Sequence, residues 1–97
     1  MESTNKPELT PLALGSLFKV LQVEGLAGMK MPLHHSTQEA IIVIQKGEAL
    51  LQMPDGEHLL KKGDNFIVPA KKEHSLTIIK DLKALAIMTV ESEINFI

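Results

Sequence analysis

Apolar residues in this chain come in short runs, broken at close intervals by glycine, proline and charged pairs. Ala40-Ile41-Ile42-Val43-Ile44-Gln45 puts four β-branched residues in succession ahead of Gly47, and such side chains suit a pleated, half-buried surface. Leu17–Val23, Glu48–Met53, Glu57–Leu60, Asn65–Val68, Ser75–Ile79 and Leu82–Val90 read as further strands. Pro54-Asp55-Gly56 separates two of them, and Asp-Gly supplies the positive φ angles of a tight hairpin. The last run alternates small and large apolar residues, Ala84-Leu85-Ala86-Ile87-Met88, as a strand with core on both faces does. Short strands punctuated this often predict an all-β sandwich or barrel. Helix has a place only as a turn near Leu12–Leu17, and Lys80–Leu85 reads either way. Residues 1–15, polar at first and interrupted by Pro7 and Pro11, read as a loosely docked N-terminal arm. Residues 16–97 then form one domain.

Composition narrows this picture. Apolar residues make up 44% of the chain, ordinary for a globular protein, but only three are Phe and none is Tyr or Trp. Aliphatic side chains must therefore fill the core. A domain of 97 residues has much surface for its volume. Leu17–Val23 and the outward Ile41 and Val43 would leave apolar surface wet, so a homodimer is expected. A net charge of −2 gives no electrostatic reason to expect nucleic acid. Lys61, Lys62, Lys71 and Lys72 fall in turns without aromatic residues on which bases could stack. The absence of cysteine excludes disulfides and thiolate chemistry. No apolar run approaches the ~20 residues that span a bilayer, and the N-terminus carries no secretory pattern. A cytoplasmic protein without membrane partners is expected.

Two histidine-bearing stretches carry the chemistry. The first runs from Gly28 through His34, His35 and Glu39 to Gly47, and the second from Gly63-Asp64 through Pro69 to His74. Together they resemble the two sequence motifs of the cupin superfamily. In the first motif a glycine is followed by His-x-His, a Glu and a second glycine. Gly28 and Gly47 lie nineteen residues apart, as its shorter form requires. His34 occupies the first histidine position, while Ser36 stands at the second and Ala40 at the glutamate. In the second motif Gly63, Pro69 and His74 are in register, Lys71 replaces the usual glycine, and Ile78 stands in place of the final asparagine. The resemblance implies a small antiparallel jelly-roll barrel, the cupin-like double-stranded β-helix. Motif register then selects Ile42, Ile44, Leu50, Phe66, Val68, Leu76, Ile78 and Met88 as inward-facing. Gly47 and Gly63 belong at corners where φ is positive or two backbones approach closely.

The same resemblance implies a pocket at the barrel mouth lined by His34, Ser36, Ala40 and His74. Cupin metal centres use imidazoles, often with a carboxylate, around an open position. Aligned without gaps, the chain keeps only His34 and His74 of such a set. Aligned with a one-residue bulge before Gly47, it offers His34, His35, Glu39 and His74 as ligands for a divalent metal. Strand alternation opposes that version, because adjacent residues point to opposite faces. His58, beside the Asp-Gly turn, reads as a surface residue. The chain has no glycine-rich phosphate loop and no Gly-x-Ser-x-Gly elbow. It also lacks the Tyr acid that sugar-epimerase cupins typically pair with a His base. The expected function is binding of a small organic molecule without turnover. The alternative is a metal-dependent enzyme of dioxygenase or isomerase type.

Overall fold

The computed structural model describes residues 6–97, and every regular element among them is a strand. The strands are β1 (Glu8–Leu14), β2 (Phe18–Gly25), β3 (Lys30–Ser36), β4 (Ala40–Met53), β5 (Gly56–Lys61), β6 (Asn65–Val68), β7 (His74–Thr89) and β8 (Ile94–Phe96). All pairings are antiparallel. The long strands β4 and β7 run side by side and bend together, so the sheet folds into two layers. One layer is ordered β1-β2-β7-β4-β6, from the C-terminal half of β7 and the start of β4. The other is ordered β8-β3-β7-β4-β5, from the remaining halves. This is the jelly-roll arrangement. No helix among the described residues is long and apolar enough to cross a membrane.

Gly47 makes the bend possible. Its φ is +85°, and a Cβ there would stand 2.0 Å from the Asp81 carbonyl oxygen of β7. Only a residue without a side chain lets the two backbones pass this closely. The pairing of β4 with β7 shifts register three times between Ile44 and Ala49, and each irregularity re-aims the side chains that follow. Ile42 and Ile44 face inward before the bend, and Ala49 and Leu51 face inward after it. Leu50, expected in the core on unbroken alternation, is therefore only half-buried and lies outside the core cluster.

Ile44, Val68, Leu76, Ile78 and Met88 are buried as expected, and Ile42 and Phe66 are half-buried against them. The Glu48–Met53 segment is continuous with Ala40–Gln45, and Lys80–Leu85 is strand throughout. Glu8–Leu14 is not a loose arm but an edge strand registered on β2, which removes the helical turn near Leu12. Residues 1–5 of the expected arm lie outside the described residues. Where the edges β5 and β6 approach, the exposed His58 rests on Phe66 with ring centroids 4.7 Å apart. Outside the first layer, Ala13, Val20, Ile87, Ile41 and Ile67 stand in one lateral row across β1, β2, β7, β4 and β6.

Candidate functional site

The inner face of the barrel is polar at one end only, the end farthest from the bend at Gly47. His74 opens β7 there, following Pro69, which cannot donate a ladder hydrogen bond and so ends β6 at Val68. His34 comes from β3, where the register against β7 slips between Met31 and His34. That slip, at Pro32 and Leu33, puts both Met31 and His34 on the inner face and sets His34 directly opposite His74. Alternation then brings Ser36 inward as well. In the loop after β6, Lys71 donates its backbone N–H to the Ser36 carbonyl at 2.7 Å. Lys71 holds a left-handed φ of +64°, so the conformation survives although the side chain is not glycine.

The two imidazoles are 4% and 5% exposed, and their ring centroids lie 4.1 Å apart. Each is tied back to its own strand. Nδ1–H of His34 donates to the Pro32 carbonyl at 2.6 Å, and Nδ1–H of His74 donates to the Lys72 carbonyl at 2.9 Å. Burial, which disfavours the charged form, pushes both rings below the ordinary histidine value of 6.5. The carbonyl bonds act in the opposite direction. Neighbouring imidazoles, His74 and His35 for His34 and His35 for His74, add to the lowering.

Beneath the rings is a cavity walled mainly by aliphatic side chains, among them Leu21, Ile44, Leu51, Leu76 and Met88. His34, Ser36, Ala40 and His74 all border it. Water centres can occupy about 50 Å³ of it, room for a few waters or a short organic chain. The space exists because β7 turns Ala84 and Ala86 inward and Leu85 and Ile87 outward. Among the described residues no Asp, Glu, Lys or Arg borders it.

His35 and Glu39 are elsewhere. The irregularity near Pro32 precedes His34 and leaves His35 on the opposite face, paired with Asn95 of β8. Its Nδ1 is shielded from solvent and has no partner among the described residues. Glu39 is exposed and borders a surface hollow with Phe18, Ile41 and Ile87. Among the described residues no three His, Asp or Glu side chains gather as metal ligands. Two imidazoles leave a catalytic zinc site one protein ligand short, because a neutral Ser36 hydroxyl is not among its donors, and a 2-His-1-carboxylate set lacks its carboxylate. The residues present do not fit a catalytic metal.

The C-terminal segment adds residues that the sequence reading passed over. Ile94 borders the cavity, and the Phe96 ring lies 5.3 Å from that of His34. Their spacing by two, after the polar Glu91–Glu93, is the alternation that marks a short strand.

The family profile for the cupin domain matches residues 22–90, well over half of the chain. The chain belongs to the cupin family. No curated protein matches this cupin in sequence, but many solved structures share its fold. A cupin superfamily protein from Desulfitobacterium hafniense is 21% identical, with 94% of this chain and 84% of that one covered at a TM-score of 0.80. KdgF from Halomonas sp. is 14% identical, with 92% and 83% covered at a TM-score of 0.80. The DMSP lyase DddQ from Ruegeria pomeroyi is 21% identical at a TM-score of 0.84, with 94% of this chain covered but only 51% of the lyase. At these identities the likeness carries the fold alone.

Proposed function

We propose that this cupin binds a small organic molecule inside the barrel, beneath His34 and His74. The observation that carries the reading is the joining of an aliphatic wall to two buried imidazoles at its polar end. Ligand sites are built in this way, with apolar surface for affinity and a few placed polar groups for orientation. Turnover is not part of the reading, because among the described residues no carboxylate borders the cavity and no hydrogen bond joins the Ser36 hydroxyl to either imidazole.

The test is a screen of small organic molecules against protein labelled at Ile, Leu and Met methyls. Shifts concentrated at Ile44, Leu51, Leu76 and Met88 are expected for a subset of compounds, each recovered unchanged. A panel that moves none of these methyls would sink the proposal. Stoichiometric zinc or iron binding lost on His74→Leu would favour the metal-dependent enzyme instead.

A further inference from the structure

We propose that the molecule this cavity accepts is compact, uncharged and a hydrogen-bond donor, a short aliphatic alcohol being the simplest example. The inference rests on the binding reading above and adds the chemical class.

Hydrogen-bond direction fixes the donor requirement. A carbonyl oxygen only accepts, so the contacts of His34 Nδ1 with Pro32 and of His74 Nδ1 with Lys72 place the proton on Nδ1 in both rings. A neutral imidazole has one N–H, so each Nε2 is left with a lone pair. Two acceptors side by side cannot satisfy one another. Among the described residues neither ring makes a further hydrogen bond, and the Ser36 hydroxyl bonds to neither. Neither Nε2 is among the buried atoms that lack a partner, so both are open to a donor, and an O–H or N–H on a molecule in the cavity they border can supply it.

Charge and size narrow the class. With no charged side chain among the described residues on the wall, a carboxylate would meet lone pairs and apolar surface, and an ammonium would lack a counter-ion. The space of about 50 Å³ open to water centres, at ~10–15 Å³ for each water, corresponds to roughly three to five non-hydrogen atoms.

The experiment compares isomers. 1-Butanol and methyl propyl ether have the same atoms and similar shape, but only the alcohol donates. Both are titrated into the full chain beside butyrate and butylammonium, following cavity methyls and the Cε1–H signals of His34 and His74. The alcohol is expected to bind at least about five-fold more tightly than the ether, the worth of one net hydrogen bond. It should move both imidazole signals, and neither ion should bind measurably. In His74→Leu, which keeps about the same volume and removes one of the two acceptors, the alcohol-to-ether ratio should fall, and the remaining imidazole signal to move should be that of His34. Should that variant fail to fold, the ratio in the unaltered protein still decides. Equal binding of alcohol and ether would overturn the donor requirement while leaving a binding cavity. Tighter binding of either ion would overturn the uncharged class. If neither isomer moves the cavity methyls, the binding reading fails with it.

Discussion

Alanine at Gly47 and at Gly63 separates two reasons for which a chain needs glycine. Both residues have positive φ, +85° and +91°. At Gly63 no atom of the described residues beyond its chain neighbours lies within 4 Å of where a Cβ would stand. At Gly47 the Asp81 carbonyl oxygen stands at 2.0 Å, with the Asp81 carbon and the Lys80 oxygen at 2.7 Å. Either substitution incurs the left-handed penalty of an L-residue, ~1–2 kcal/mol. It recovers ~0.5–1 kcal/mol, because glycine loses more freedom on folding. Gly63→Ala should thus cost about 1 kcal/mol or less by this difference. Gly47→Ala has in addition to force backbone away from backbone. Overpacking costs ~1–3 kcal/mol, and parting β4 from β7 loses ladder hydrogen bonds worth ~1 kcal/mol each. A total of about 3–5 kcal/mol follows, enough to unfold a marginal domain. Urea unfolding followed by far-ultraviolet circular dichroism suits a chain without Trp or Tyr. Equal losses of stability at the two positions would refute the close passage of β4 and β7.

Lys71→Gly should stabilise the protein by roughly 0.5–1 kcal/mol, since it relieves the left-handed strain at φ +64° and alters no side-chain contact; a lowered melting temperature would count against that loop conformation. Stability should fall as pH drops below 6.5, because His34 and His74 titrate lower in the folded protein than in the unfolded chain, which then binds the extra protons. The slope should reach at most about 1.4 kcal/mol per pH unit for each ring, and urea midpoints between about pH 7.5 and 5.5 that do not move would refute it. A homodimer is expected through the row formed by Val20, Ile41, Ile67 and Ile87, and Ile67→Lys should weaken it. Light scattering that gives the mass of one chain at tens of micromolar would rule the dimer out.

Strands were legible wherever apolar residues dominate several successive positions. Asn65–Val68 reads as a strand and is β6, stopped by Pro69 for a reason visible in the residue itself. Parity was harder. Nothing local to Leu50 and Leu51 says which faces inward, because the answer depends on how many residues the bend at Gly47 absorbs against Lys80 and Asp81. β1 escaped notice because Thr10 and Pro11 interrupt it and its far side is wet; it is held as a strand by the edge of β2. At the candidate site, the motif positions of His34, Ser36, Ala40 and His74 border one cavity, but only through the slip at Pro32 that turns His34 inward. The separation of His35 from them follows from alternation, and Glu39 falls in the turn between β3 and β4. The volume of the cavity was not legible, since Ala84 and Leu85 are equally apolar and either could have faced the core.

The pairing of β7 with β2, β3 and β4 also dictates the order in which the barrel assembles. Before residue 74 has joined, the strands can form only β1-β2 and the cluster of β4 with β5 and β6. β3 has no partner at all until β7 or β8 arrives. A growing chain would hold these pieces as separate fragments, their apolar faces wet and their edges unpaired. Non-local pairing of this kind slows closure to the millisecond-to-second range. A chain that has not yet made β7 is therefore expected to be most exposed to aggregation through β4, and one late strand joins β1-β2, β3 and the β4 cluster into one cooperative unit.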